Sequence, residues 1–121
     1  MHRVLAILGS IFLLSSGAQA QRLVSGEEMV LPCTRVLLGG GDESLHLTQQ
    51  MAFCVGAVSA IAWTAPHLET GSQFCIPIYA TRGEQVAAVV RYMRNHTDRL
   101  REDFFLLALQ ALRQTWPCPG P

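Results

Sequence analysis

Four cysteines, Cys33, Cys54, Cys75 and Cys118, place the strongest constraint on what this chain can fold into. All four follow residue 20, and an even number of cysteines in a small exported chain favours a disulfide framework. No two of them lie two to four residues apart, and no histidine lies at zinc-finger spacing, so a metal site is disfavoured and we expect no cofactor. Spacing alone leaves three ways of pairing the cysteines open.

The first twenty residues predict a cleaved signal peptide. A short basic start, Met1–Arg3, precedes an almost wholly apolar run over residues 4–14, and Ala18-Gln19-Ala20 has the small-x-small form of a cleavage site. The apolar run is about half the roughly 20 residues that a membrane-spanning helix needs. We therefore expect a signal peptide over residues 1–20, a mature domain over 21–121, and no membrane attachment after cleavage.

The charge balance argues against nucleic acid as a partner. The chain has nine basic and nine acidic residues, and loss of Arg3 with the signal peptide leaves eight against nine, a net charge of −1. The arginines are scattered rather than clustered, so neither a nucleic-acid nor an anionic-membrane footprint is present. About 100 mature residues suffice for one domain with one modest core.

Hydrophobic periodicity predicts an all-α fold, a small bundle of about four helices, with no convincing strand pair. The first helix begins at a capping box, Ser25–Glu28, and carries Pro32, where we expect a kink or a restart. The second runs from about Ser44 to Ala65. Small residues recur in it at positions 52, 56 and 60, which we interpret as the line along which another helix approaches the most buried helix of the bundle.

The last two helices form a second pair. The third begins at another capping box, Thr81–Glu84, and the turn Asn95–Asp98 ends it. The fourth, residues 102–116, is predicted to bury the face that carries Phe105, Leu109, Leu112 and Trp116.

This order of helices favours one pairing of the cysteines. Cys33 and Cys54 both face the core side of the first two helices, and Cys75 and Cys118 flank the last two, so each pair meets if neighbouring helices are antiparallel. Each bridge would stabilise the domain by roughly 3–4 kcal/mol through the entropy of the unfolded chain.

Motifs along most of the mature chain resemble those of one protein family. They are Cys54-Val55-Gly56, Phe74-Cys75-Ile76-Pro77, Gln85 with the valine-rich run to Val90, Tyr92 to Leu100, and Ala108-Leu109 through Trp116-Pro117-Cys118. In this order they resemble the Rap/Tai family, the amidase immunity proteins of bacterial type VI secretion, over roughly residues 25–118.

The resemblance implies a periplasmic helical protein that neutralises a peptidoglycan amidase. Such inhibitors tend to form homodimers and to push a surface element into the cleft of a cysteine–histidine hydrolase, so they occlude the enzyme and do no chemistry themselves. A stand-alone exported interaction module on the same scaffold, with another protein partner, is the alternative.

The turn after the third helix is the candidate partner-binding element, with His96, Thr97, Asp98 and Arg99 as its contact residues. Helix capping explains the same residue types without any partner. The loop over residues 67–74 is the other element long enough to project, and Trp63 is a candidate for a dimer contact.

An enzymatic interpretation would use Cys54 as a thiol nucleophile and a histidine as its base. The candidate bases are His46, His67 and His96. A reactive cysteine needs a partly exposed, electropositive setting, whereas Cys54 lies on an apolar stripe with Cys33 as its natural partner. We therefore expect no catalysis by this chain.

Overall fold

The computed structural model describes residues 22–120, which form four α-helices and two short 3₁₀ turns. The helices are α1 (Gly26–Leu37), α2 (Leu45–Thr64), α3 (Arg82–Asn95) and α4 (Phe104–Thr115), and the 3₁₀ turns are Ala65–His67 and Thr97–Arg99. Two isolated bridges are the only β-type pairing within these residues. The predicted all-α fold is confirmed, while the predicted signal peptide lies outside the described part of the chain.

Side-chain caps begin every helix. Ser25 and Thr81 form complete capping boxes with the glutamates three residues later, and Ser44 and Asp103 accept hydrogen bonds from backbone N–H groups of the first turn. Of the kink or restart expected at Pro32, the restart is wrong, because α1 runs through this residue as one helix. The proline ring is fully buried, and its apolar contacts offset the hydrogen bond that its missing N–H cannot make.

Two disulfides tie the bundle together in the pairs that the helix order favours. Cys33–Cys54 joins α1 to α2, and Cys75–Cys118 joins the segment before α3 to the segment after α4. Both sulfur-bearing residues of the first pair are fully buried. Beside the second pair, Cys75 N–H donates a hydrogen bond to the carbonyl oxygen of Trp116 at 2.8 Å. This backbone bond and the disulfide therefore close the same end of the helical hairpin formed by α3 and α4.

The core lies where α1, α3 and α4 meet the inner side of α2. Its largest fully buried side chains are Met29, Val58, Val86, Val89, Met93, Phe104, Leu107 and Leu112. The face expected for α4 is partly wrong, because the helix buries Phe104, Leu107 and Ala108 while Phe105 is 41 % exposed. Six apolar residues in a row begin α4, so periodicity could not tell which of them would face the core.

The expectation that α2 is the most buried helix is wrong. The small residues Ala52, Gly56 and Ala60 are exposed, and only Cys54, Ala57 and Val58 of this helix are buried. With the 3₁₀ turn that follows, α2 is the one helix among the described residues that is long and apolar enough to cross a membrane, yet only 17 % of its most apolar stretch is buried. Its contacts with the other three helices make it part of the bundle. The opposite side is exposed and largely apolar, apart from Thr48 and Gln49.

Candidate partner-binding surface

The predicted contact residues lie in the connection between α3 and α4, residues 96–103, which we call the α3–α4 turn. Its backbone follows a short ladder of hydrogen bonds: His96 N–H donates to Met93 O, Arg99 N–H to His96 O, and Glu102 N–H to Arg99 O, at 3.2, 3.0 and 2.9 Å. Each bond closes one tight bend. The turn therefore has a defined conformation of its own.

Arg99 links this turn to the bundle. Its guanidinium donates to both carboxylate oxygens of Glu102, from Nε at 2.8 Å and from Nη2 at 2.6 Å, and Nη1 donates to the hydroxyl of Tyr92 at 2.6 Å. The Tyr92 hydroxyl in turn donates to Gln110 Oε1 at 2.8 Å. The chain of bonds connects the turn to both α3 and α4, and its bidentate pair fixes direction as well as distance.

The same contacts shift the ionisation of the pair. The hydrogen bonds from Arg99 lower the pKa of the Glu102 carboxyl below its ordinary value, and the positive charge acts in the same direction. The hydrogen bonds to Glu102 raise the pKa of Arg99. Both groups therefore remain charged at neutral pH and hold each other in place.

His96 closes the other side of the turn. Its ring stacks on that of Tyr92 with the ring centres 4.0 Å apart, and Nδ1 lies 2.8 Å from the Tyr92 carbonyl oxygen. Because a carbonyl oxygen can only accept, Nδ1 is the donor in this bond. His96 thus caps the C-terminal end of α3, as the capping interpretation of this residue expects.

The N-terminus of α1 braces the turn from outside the hairpin. Gly26 N–H donates to Glu102 O at 3.0 Å and Glu27 N–H to Leu100 O at 2.8 Å, so two N–H groups with no partner inside α1 are satisfied by the turn. Gly26 permits this approach, because a Cβ atom there would lie 2.5 Å from Leu107 Cδ1 and 3.2 Å from Leu100 O. The turn is held between α1, α3 and α4.

Two of the four predicted contact residues are free to meet a partner. Thr97 and Asp98 are exposed and make no side-chain hydrogen bond within the described residues, whereas His96 and Arg99 are half-buried and engaged in the contacts above. The structure therefore divides the predicted set into an exposed tip and the residues that hold it. Binding by any of them stays a prediction.

The alternative contact element, the loop over residues 67–74, lies along a cleft of about 760 Å³ shared with α3 and α4. Gln73 holds the loop by donating to the carbonyls of Pro66 and Leu68 at 3.3 and 3.0 Å, and Arg113 Nη2 donates to Gly71 O at 3.3 Å. Tyr92 and Gln110 line the same cleft. The hydrogen-bonded pair that supports the α3–α4 turn thus also forms one wall of this cleft.

The residues of the enzymatic interpretation do not form a reactive site. Cys54 is bonded to Cys33 and fully buried, so it presents no thiol in the oxidised protein. His46 and His67 are exposed near opposite ends of α2. Among residues 22–120 no group of three or more potential metal ligands comes together.

Sequence reasoning missed the residues that support the turn. The spacing of Arg99 and Glu102, three residues apart, could have signalled their ion pair. The bond between Tyr92 and Gln110 joins residues 18 positions apart on different helices, and no local pattern announces it. The exposed apolar side of α2 was likewise missed, because its small residues suit a buried helix equally well.

Comparison with known proteins identifies the family. The family model described as Rap1a immunity proteins matches residues 25–118 of this chain. No curated protein and no solved structure matches it. The matched segment covers nearly all of the described residues, including both disulfides and the whole α3–α4 turn. The chain belongs to the Rap1a immunity protein family.

Proposed function

We propose that this protein is a periplasmic immunity protein that binds a peptidoglycan amidase delivered by type VI secretion and occludes its active-site cleft with the α3–α4 turn. Membership of an immunity protein family implies a non-enzymatic inhibitor that binds a secreted effector. Two disulfides are consistent with an exported protein. The amidase as target, the periplasm as compartment and a homodimer as the acting form follow from the resemblance to amidase inhibitors.

The observation that carries this proposal is an exposed tip on a braced turn. Thr97 and Asp98 are exposed, while the residues on either side of them are held by side-chain bonds to α3 and α4. A binding element that is already ordered loses little conformational entropy when it enters a cleft, so more of its contact energy becomes affinity. Rigidity of this kind suits an inhibitor that works by shape.

The charge of the tip fits the proposed target. A catalytic cysteine is activated in electropositive surroundings, often beside a histidine. The carboxylate of Asp98 is complementary to such surroundings, and the hydroxyl of Thr97 can donate or accept hydrogen bonds. We therefore expect Asp98 to contribute more to affinity than Thr97.

The test is binding of the purified protein to any amidase encoded beside it, measured by calorimetry and by inhibition of peptidoglycan hydrolysis. Asp98→Ala should weaken binding at least ~10-fold, equivalent to about 1.4 kcal/mol. Glu69→Ala, which removes an exposed carboxylate from the competing loop, is the matched control and should leave the affinity unchanged. The opposite pattern would assign the contact to the loop over residues 67–74. Absence of any complex would leave the stand-alone interaction module as the function.

A further inference from the structure

The cleft between α4 and the loop over residues 67–74 has the size of a ligand-binding site. Its volume of about 760 Å³ lies within the roughly 300–1,000 Å³ of small-molecule pockets. Gln110 and Arg113 of α4 line one wall, Gly71 and Gln73 of the loop line the other, and Cys118 lies at one end. The hydrogen bonds of Gln73 and Arg113 and the disulfide of Cys118 hold these walls in place. The cleft is therefore already formed.

The wall on α4 consists of hydrogen-bond donors. Gln110, Arg113 and Gln114 are spaced three and four residues apart, so they lie on one face of the helix. Arg113 donates from Nη2 to Gly71 O at 3.3 Å, and within the described residues its other N–H groups make no hydrogen bond. Gln114 is exposed and lines the same cleft. A ligand that lies against this wall has to offer acceptors.

The hydrogen bonds of Tyr92 decide which end of the Gln110 amide remains free. Arg99 Nη1 donates to the Tyr92 hydroxyl at 2.6 Å. Because a guanidinium can only donate, the hydroxyl has to give its own proton to Gln110, whose Oε1 lies 2.8 Å away. The acceptor of Gln110 is thus in use, and its NH₂ group has no partner within residues 22–120. This half-buried side chain brings a free donor to the cleft.

The same reasoning gives the opposite result for Gln73 on the loop wall. Its Nε2 donates to the carbonyl oxygens of Pro66 and Leu68 at 3.3 and 3.0 Å. Since carbonyl oxygens can only accept, this atom is the amide nitrogen, and Oε1 is the atom left free to accept. The cleft therefore has donors on one wall and an acceptor on the other. A peptide chain, with its C=O and N–H groups, has the matching pattern.

The charge of the cleft favours a carboxylate. Among the described residues that line it, Arg113 is the one that carries a charge. Arg113 also makes no ion pair within the part of the chain that the structure describes. Hydrogen bonds between a guanidinium and a carboxylate are about twice as strong as those between neutral groups. An apolar ligand would instead leave the donors of α4 without partners.

We infer that this cleft binds the C-terminal end of a short peptide. Arg113 binds the terminal carboxylate, the amides of Gln110 and Gln114 donate to the peptide's oxygens, and Gln73 Oε1 accepts a peptide N–H. The inference goes beyond the proposed function and does not depend on it. Thr97 and Asp98, the exposed tip of the α3–α4 turn, do not line the cleft, so peptide binding and amidase binding can be measured separately.

The test is a titration of the isotope-labelled protein, with both disulfides intact, followed by nuclear magnetic resonance. N-acetyl-trialanine should shift the side-chain amide signals of Gln110 and Gln114 with a Kd of about 1 mM or below, the range for a small ligand in an open cleft. N-acetyl-trialanine amide, which lacks only the carboxylate, should bind at least ~5-fold more weakly. Acetate, a carboxylate without the peptide, should bind at least ~10-fold more weakly.

Two variants assign the contacts. Arg113→Gln removes the charge but keeps a donor for Gly71, so the acid and the amide should bind within ~2-fold of each other. Gln110→Glu keeps the acceptor for Tyr92 but replaces the free NH₂ group with a carboxylate oxygen, which should weaken binding of the acid at least ~10-fold. Gln49→Glu is the matched control. It adds the same charge at an exposed position of α2 outside the cleft and should leave the Kd unchanged.

Absence of any shift at about 10 mM peptide, ten times the expected Kd, would overturn the inference. An amide that binds as tightly as the acid would do the same, and this comparison needs only the wild type if a variant fails to fold. Acetate binding as tight as that of the peptide would make the cleft a site for small carboxylates instead. Folded Gln110→Glu protein with wild-type affinity would also contradict the assignment.

The outcome is independent of the amidase. Peptide binding by a protein that forms no amidase complex would support the cleft as a peptide site while the proposed function fails. An amidase complex formed by a protein that binds no peptide would do the reverse.

Discussion

Replacement of Gly26 by alanine should destabilise this protein, although the same exchange normally stabilises a helix. Gly26 is the first residue of α1, where the helix meets the α3–α4 turn. The new Cβ would lie 2.5 Å from Leu107 Cδ1 and 3.2 Å from the carbonyl oxygen of Leu100. Leu107 is fully buried, so its side chain cannot turn aside without displacing other core atoms.

The expected size follows from two opposing terms. Reduced freedom of the unfolded chain would stabilise an unstrained Gly→Ala variant by about 0.4–1 kcal/mol. Overpacking of a filled site costs about 1–3 kcal/mol. The Leu100 carbonyl that must shift also accepts the 2.8 Å hydrogen bond from Glu27 N–H. We therefore expect a net loss of about 1 kcal/mol or more, which lowers Tm by about 4–8 °C per kcal/mol in a domain of this size.

The assay is urea unfolding at constant protein concentration, followed by circular dichroism, with the thermal midpoint as a second readout. Gly83→Ala is the matched control, because Gly83 lies in the first turn of α3 and an added Cβ would meet nothing closer than 3.8 Å. It should stabilise the protein by about 0.4–1 kcal/mol. If both variants gain stability, the close approach of α1 to the α3–α4 turn is absent and the reasoning is refuted.

Three further outcomes test the contacts around the turn and the disulfides. Because Glu102 has a lowered pKa in the folded protein, its contribution to stability is present above its unfolded pKa of about 4.3 and is lost as the pH falls through the folded value. Glu102→Gln should therefore flatten the fall of Tm on acidification, and an unchanged slope would show that the ion pair has no such role. Tyr92→Phe removes the hydroxyl shared by Arg99 and Gln110 and should lower the free energy of unfolding in urea by about 1 kcal/mol. A variant as stable as the wild type would show that these hydrogen bonds do not stabilise the fold. Treatment with increasing concentrations of reductant should open Cys75–Cys118, where Cys75 is exposed, before it opens the fully buried disulfide between α1 and α2. Alkylation of the freed thiols followed by mass spectrometry measures the order. Simultaneous opening would contradict the role of burial.

Much of the fold could be predicted because its signals are local. Two helices begin at capping boxes, in which Ser25 or Thr81 pairs with the glutamate three residues later. Pro66 marks the end of α2. The order of the helices then limits which cysteines can meet. Such signals depend on the nearest turn of the chain, so they survive into the folded protein unchanged.

The parts that sequence reasoning missed depend on packing between distant elements. α2 has no charged residue, so hydrophobic periodicity could not tell its covered side from the side that carries Gly56 and Trp63. The sequence allows the α3–α4 turn to be recognised as a polar connection. It does not reveal that Tyr92 holds this turn through a hydrogen bond to Gln110. The division of the predicted contact residues into an exposed tip and its support is likewise a property of the tertiary structure.

Hydrogen exchange, compared between the free protein and its complex with the proposed amidase partner, tests the central claim most directly. Occlusion by the α3–α4 turn predicts that the added protection is concentrated in residues 96–103, with little change over residues 67–74. Added protection over residues 67–74 alone, with residues 96–103 exchanging as in the free protein, would contradict the account.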